Sequence, residues 1–317
     1  MLQLIISEDF FFSMIRITAP ILLATLAAIV CEKGGISNIG LEGTMMLAAL
    51  FGSLASYYAH SWVVGLLVAI LAGVVVSALM CFFIYNLQTN MILAGTAVNM
   101  IGSGGTIFLV KVITGLTEGT QMTSTTGLIT QDLLMPTIDI PLIKDIPFIG
   151  PVLSGHCFLT YLTFILVFVT WVILYKTPLG LNIRSVGENP NAASSVGVSV
   201  LKVKYYTFII GGVFCGLAGA FMSIYYAMGW SQGMLAGRGF IALAAQAMGI
   251  EPVGGLFASL IFGFAQALRI KFSAVGIDSN ICSTIPYIIT IIGLVVFAIR
   301  RIQNEKKKRS AEALNNK

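Results

Sequence analysis

Charge is scarce in this chain. Asp, Glu, Lys and Arg make up 10% of its 317 residues, against 57% apolar residues. A soluble globular domain carries about a quarter charged residues, so this composition excludes that class and points to an integral membrane protein. Only two histidines occur, His60 and His156, both at the ends of apolar runs and without a partner at helical spacing. No cluster of His, Cys, Asp or Glu has metal-ligand spacing, so no metal centre is expected. The five cysteines (Cys31, Cys81, Cys157, Cys215, Cys282) lie far apart with no paired spacing. They read as isolated apolar thiols rather than disulfides or ligands. No glycine-rich loop ending in Lys-Ser/Thr is present, so the chain is not expected to hydrolyse nucleotide through that machinery. Gly102-Ser103-Gly104-Gly105 falls inside an apolar run and suits packing or a helix break instead. The runs also lack the buried acids of a proton-driven pump. Met1-Leu2-Gln3-Leu4 is followed by Glu8 and Asp9, not by a basic start, so no cleavable signal peptide is expected. The net charge of +5 does not imply a nucleic-acid partner, because much of the excess sits in Lys306-Lys307-Lys308-Arg309. That cluster reads as a cytoplasmic anchor, with contact to anionic lipid as the alternative.

What is present is a series of apolar runs, at roughly 13–32, 42–59, 62–85, 91–113, 157–175, 204–228, 235–250, 253–270 and 281–299. An apolar helix of about 20 residues crosses the ~30 Å hydrocarbon layer. The expected fold is therefore an all-α polytopic membrane protein, one transmembrane domain over 1–317, with about nine (8–10) spans. Basic residues mark the cytoplasmic side. The 176–204 loop and the 300–317 tail are both basic, so an even number of crossings lies between them; 235–250, short and Gly-flanked and so a half-span or a tilted helix, is counted as a crossing. The N-terminus then falls outside. Arg269 and Lys271 land on the outer side, against the rule.

The loop at 116–156 is the longest outside the membrane and holds Pro136, Pro141, Pro147 and Pro151. It faces away from the cytoplasm, either shaping an entrance or acting as an inert lid. A faint internal repeat runs through the chain. Gly43-Thr44-Met45-Met46-Leu47-Ala48-Ala49 resembles Gly239-Phe240-Ile241-Ala242-Leu243-Ala244-Ala245, and Gly65-Leu66 with Gly73 echoes Gly255-Leu256 with Gly263. The topology gives the copies opposite directions, the plan of many transporters; chance likeness among Gly/Ala/Leu helices is the competing reading. Gly212, Gly216 and Ala220 share a helix face, for close packing or for sliding.

One segment is out of character. Gly187-Glu188-Asn189-Pro190-Asn191-Ala192-Ala193-Ser194-Ser195-Val196-Gly197-Val198 is water-compatible and helix-forming, set between apolar runs and flanked by Lys176, Arg184, Lys202 and Lys204. It reads as a surface gripped by a soluble protein, and so as part of a transport subunit driven by a separate motor. Pro190 suits a first helical turn and Asn189 can cap it. Inside the runs, Thr96, Asn99 and Ser103 share a face. Gln246 and Gln266 lie in later runs. Such neutral amides and hydroxyls suit a neutral polar solute, with Phe240 or Tyr225 to stack on a flat ring. Interhelical hydrogen bonding is the alternative use. Glu32, Lys33 and Glu42 are placed at the membrane interface.

Three motifs together carry a resemblance: Ala19-Pro20-Ile21-Leu22 running into Glu32-Lys33-Gly34-Gly35-Ile36-Ser37-Asn38-Ile39-Gly40-Leu41-Glu42-Gly43-Thr44-Met45; Gly187-Glu188-Asn189-Pro190 through Ala192-Ala193 to Gly197; and Gly237-Arg238-Gly239-Phe240-Ile241-Ala242-Leu243-Ala244 with Pro252 and Gly254-Gly255. Over residues ~13–300 the chain resembles the permease subunits of ATP-binding-cassette importers for nucleosides and simple sugars, in the shorter branch associated with nucleosides. The resemblance implies a type II importer-like permease in a bacterial-type cytoplasmic membrane. It implies no cofactor on this chain, since ATP is used by a partner ATPase. It also implies a second, different permease and an extracytoplasmic substrate-binding lipoprotein. Gly187, Glu188, Asn189, Pro190, Ala192, Ala193 and Gly197 would form the coupling helix, with Ala192 and Ala193 as its close-fitting face. Thr96, Asn99, Ser103, Phe240 and Gln246 would line the pathway. Gln246-Ala247-Met248 departs from the aliphatic habit of the family, which leaves riboflavin, a purine base or a sugar open beside a nucleoside. An ion-coupled secondary transporter is the remaining alternative, and it leaves the polar loop without a role.

Overall fold

The computed structural model describes residues 7–119, 122–141 and 149–275, and parts of 278–299. The basic tail at 300–317 lies outside the described residues. Pro20 sits within helix α1 (Glu8–Lys33), which is 26 residues long, thirteen positions before the helix ends. At 1.5 Å per residue α1 is about 39 Å, enough to cross a bilayer. Glu8 and Asp9 open it and Lys33 closes it, each sign at the helix end whose dipole it complements. Thr18 and Thr25 turn their hydroxyls back onto the carbonyls of Met14 and Ile21, so neither leaves a bare polar group in the core.

The chain continues through α2 (Leu41–Tyr58), α3 (Trp62–Tyr85), α4 (Met91–Met100), a wide π-helical turn at Ile101–Gly105 and α5 (Thr106–Glu118). A long connection follows, with a short 3₁₀ turn, a helix α6 (Ile149–Leu153) and a two-stranded pair in which Thr137 faces Cys157 and Ile138 faces His156. Then come α7 (Phe158–Lys176), α8 (Pro178–Glu188), α9 (Pro190–Ser195), α10 (Val200–Phe221) continued by a π-helical turn at Met222–Tyr226, α11 (Arg238–Met248) and α12 (Pro252–Ala274).

Among the described residues six helices are long and apolar enough to span a membrane: Glu8–Lys33, Trp62–Tyr85, Met91–Thr117, Phe158–Lys176, Val200–Tyr226 and Pro252–Ala274. This departs from the expected nine in three places. α2 has the length, with 18 residues, but Glu42, Thr44, Ser53 and Ser56 dilute its apolarity. The run at 235–250 is not one crossing helix. Its helical part, α11, has 11 residues, about 16 Å, roughly half the hydrocarbon layer. The ninth run, 281–299, lies only in part within the described residues.

α1 and the Val200–Tyr226 helix form the centre, each with 83% of its apolar window buried. Around them α3 turns Leu67, Leu71 and Leu79 outward, an apolar surface suited to lipid. Close helix approach rests on glycine. A Cβ on Gly73 would stand 2.3 Å from the Gly212 carbonyl oxygen where α3 crosses α10, and one on Gly263 would meet Thr18 where α12 crosses α1. No side chain fits at such crossings, which brings backbones together as small residues do in lipid. Cys31, Cys81, Cys157 and Cys215 are buried free thiols, as their spacing implied.

Candidate transport site and coupling surface

α11 begins in the interior of the protein, and its first amides need a partner. They find one far away in sequence. The Glu42 carboxylate accepts from Gly237 N–H at 3.0 Å and from Gly239 N–H at 2.5 Å, one bond on each oxygen. A carboxylate at a helix N-terminus is favoured by both the free amides and the dipole. The approach is close because Gly239 has no side chain: a Cβ there would fall 2.7 Å from the Glu42 backbone. Glu42, which the sequence placed at the membrane interface, joins the start of α2 to the start of a half-helix. Its signal in the sequence was an acid at the head of an otherwise apolar run.

Next to it, Asn99 on α4 accepts from Gly43 N–H at 2.8 Å and donates to the Ile39 carbonyl at 3.0 Å. These two bonds fix the 39–43 backbone against α4. Gly102 packs on Gly43 one turn further along, and the π-helical turn at Ile101–Gly105 follows. A cavity of about 430 Å³ opens here, lined among others by Glu42, Asn99, Ser103, Gln232 and Phe240. Phe240 is 50% exposed, so its ring is free to meet a solute. Ser103 also lines the cavity, while its hydroxyl donates to the Met100 carbonyl of its own helix.

Of the five expected pathway residues, Asn99, Ser103 and Phe240 are thus brought together. Thr96 and Gln246 are not among the residues lining this cavity. Thr96 is exposed and its hydroxyl is turned onto the Leu93 carbonyl. A second cavity, of about 500 Å³, lies on the other side of α11 and is lined by Tyr226, Arg238, Gln266 and Arg269. Arg238 is buried there, donates to the Met234 and Leu235 carbonyls, and stacks over Tyr226. Among the described residues no group of three or more His, Cys, Asp or Glu could hold a metal.

The polar segment folds as its sequence suggests. Asn189 Oδ1 accepts from the amides of Asn191 at 3.1 Å and Ala192 at 3.0 Å, capping α9 with Pro190 at its first turn. Gly197, at φ +86°, closes the helix while Val198 N–H reaches back to the Ala193 carbonyl. Glu188, Asn189, Pro190, Ala192 and Gly197 are exposed. Ala193 is not part of the outer face: it is buried against the bundle, so Ala192 alone of the pair is offered to a partner. Val196 is 80% exposed beside it, an apolar contact that the sequence reading passed over.

Gly187 also looks inward. A Cβ on it would stand 2.1 Å from the Lys33 carbonyl oxygen, so the end of α8 rests on the end of α1. Lys204 fastens the same corner, donating to the Gly34 carbonyl at 2.6 Å and the Gly35 carbonyl at 3.3 Å, with Tyr85 beneath its ammonium. From Gly35 to Glu42 is a single short stretch of chain. The polar segment and the cavity are therefore the two ends of one backbone connection. A polar cleft of about 590 Å³ runs along this corner, between Lys33, Arg184, Glu188 and Glu251. It brings the α11–α12 junction beside the polar segment.

Residues 10–300 match the family described as branched-chain amino acid transport system / permease component. Among relatives, the guanosine ABC transporter permease protein NupQ of Bacillus subtilis is 36% identical, with 88% of each chain covered. The putative glucose ABC transporter permease protein TsgC13 of Haloferax volcanii is 30% identical over 90% of each chain. The nucleoside ABC transporter permease protein NupC of Lactococcus lactis is 29% identical, covering 93% of this chain and 92% of that one. No solved structure matches the chain.

Proposed function

We infer a function from one premise: the chain belongs to the branched-chain amino acid transport system / permease component family. It is a multi-pass membrane permease of a bacterial-type ABC importer, a transport subunit and not an ATPase. We propose that its solute is a nucleoside, or a simple sugar as the second choice. Guanosine and glucose, the solutes in the relatives' names, share a neutral ring with adjacent hydroxyls. The observation that carries this reading is the cavity beside the half-helix α11. There the exposed Phe240 lines the same cavity as Glu42 and Ser103, a mixture suited to a flat ring bearing donors.

The partners proposed are a cytoplasmic ATPase, a second permease and an extracytoplasmic binding lipoprotein. The ATPase would grip Glu188, Asn189, Pro190, Ala192 and Val196, which are exposed on and around α9. Its movement would pass through Gly187 to the Lys33–Gly35 corner, and along the 35–42 backbone to Glu42 and Asn99. This gives the motor a direct mechanical route to the cavity.

The proposed topology keeps 176–204 and the tail in the cytoplasm and 116–156 outside. Residues 227–248 would make one broken crossing. It leaves the outer end of the Val200–Tyr226 helix, meets Glu42 at the head of α11 and ends in the cleft beside Lys33 and Glu188. With α2 and the 281–299 run this returns nine crossings, in the manner of a type II importer. Reciprocal contacts support an inverted repeat. Gly65 and Gly73 on α3 meet Ile224 and Gly212 of the Val200–Tyr226 helix, while Gly255 and Gly263 on α12 meet Ile29 and Thr18 of α1. Half-helices at a repeat interface are where transporters place their solute.

The test is reconstitution of the complete importer in vesicles with ATP inside. Uptake of labelled guanosine that stops when ATP is withheld is the expected result. Absence of ATP-driven uptake of guanosine, of any other nucleoside and of glucose would overturn the reading.

A further inference from the structure

The geometry points to Glu42 as the group that reads adjacent hydroxyls on the solute: we propose that its carboxylate accepts hydrogen bonds from a vicinal diol of the sugar ring. This rests on the substrate class proposed above and assigns the recognition to one side chain. Glu42 is the one ionisable residue among those described as lining the cavity. An ionised carboxylate offers about four acceptor positions on two oxygens. The amides of Gly237 and Gly239 take one on each oxygen, which leaves one free on each, side by side. Two neighbouring hydroxyls present two donors at a matching separation. The same amides lock the carboxylate in place, so little rotamer freedom is lost when a ligand binds.

Asn99 and Ser103 are less suited to reading the diol. Asn99 has its amide engaged with Gly43 and Ile39. Ser103 donates to its own helix. Phe240 offers a ring face to the C–H face of a sugar or to a base. Hydrogen bonds to a charged acceptor are roughly twice as strong as neutral ones, so the carboxylate dominates discrimination.

The experiment uses the complete importer in vesicles, as wild type and as Glu42→Gln, with the same binding lipoprotein. Its own preference then cancels between the two. Uptake of guanosine is compared with 2′-deoxyguanosine, and of guanosine with inosine, which keeps the diol and alters the base edge. Should the carrier prove to take hexoses, glucose against 2-deoxyglucose replaces the first pair. The expected result is that the preference for the diol-bearing solute falls about tenfold in Glu42→Gln, as for loss of a charged hydrogen bond. The guanosine-to-inosine ratio should stay as in wild type. An unchanged diol preference overturns the inference even if overall uptake falls, since Glu42 would then act on α11 alone. A collapse of the guanosine-to-inosine ratio instead also overturns it, because the carboxylate would be reading the base. If Glu42→Gln does not assemble, Glu42→Asp replaces it, withdrawing the charge by one methylene with the same expectation. A wild-type importer that moves neither nucleosides nor hexoses refutes the proposed function itself, a result distinct from either outcome.

Discussion

Lys204 Nζ lies 2.6 Å from the carbonyl oxygen of Gly34, a residue 170 positions earlier. The bond ties the start of the central helix after the coupling segment to the exit of α1. Replacing Lys204 with Met keeps the apolar stem but leaves the Gly34 and Gly35 carbonyls without their donor. A cost of about 1–3 kcal/mol is expected. Uptake should fall several-fold while membrane insertion, checked by immunoblot of membranes, is retained.

Gly187→Ala and Gly104→Ala make a paired test of backbone contact. A Cβ at 187 would lie 2.1 Å from the Lys33 carbonyl oxygen, whereas at 104 nothing stands within 4 Å. The first substitution forces the end of α8 away from α1 and should lower the detergent melting temperature and ATP-driven uptake. The second should leave both near wild type. Equal behaviour of the two would refute the coupling route.

Asn189→Ala removes the side chain that caps α9, at a cost of about 1 kcal/mol to a six-residue helix. Fraying there should weaken co-purification of the ATPase subunit without changing expression. Glu188→Lys, on an exposed position, should weaken it further if the partner's groove is basic. Undiminished co-purification in both variants would remove α9 from the interface.

Asn99→Ala should cost about 1–3 kcal/mol and reduce uptake, because two backbone partners lose their bonds. Thr96→Ala, one turn away, should be nearly silent, since its hydroxyl only serves its own helix. Melting curves and initial uptake rates separate the two.

His156, just before α7, stacks on Phe12 and shares a hydrogen bond between Nε2 and the Val152 carbonyl, while Nδ1 is buried without a partner. Burial holds its pKa below the usual histidine value, and the charge of Arg16 adds to that, against the Val152 bond. The unfolded chain takes up this proton near 6.5, the folded chain only at lower pH. Between those points the unfolded state binds more protons, so stability drops as pH falls below about 6.5. Melting temperatures measured from pH 7.5 to 5 should show this slope, and His156→Gln should flatten it.

How much of this was written in the sequence depends on distance along the chain. The cap at Asn189 and Pro190 is local, set by residues within one turn, and the spacing alone revealed it. The long spans are likewise local sums of apolarity. The half-helix at 238–248 was legible as a short, Gly-flanked run but not in its bounds, because hydropathy counts residues, not helical turns, and Gly237, at φ +79°, delays the helix start. The role of Glu42 as a cap for α11 was not legible because its partners lie 195 and 197 residues away. Ala193 was assigned outward because a six-residue helix gives too little periodicity to tell its faces apart.

The glycine crossings have a consequence for how such a chain can vary over time. At Gly43, Gly73, Gly180, Gly187 and Gly216 the main chain of one segment touches the main chain of another. Main chain is the same in every protein, so these junctions ask nothing of the surrounding side chains except that they stay out of the way. The bundle can exchange most of its lipid-facing residues by mutational drift and still close at the same places, and the burden of heredity falls on a few positions where no atom beyond Cα is allowed.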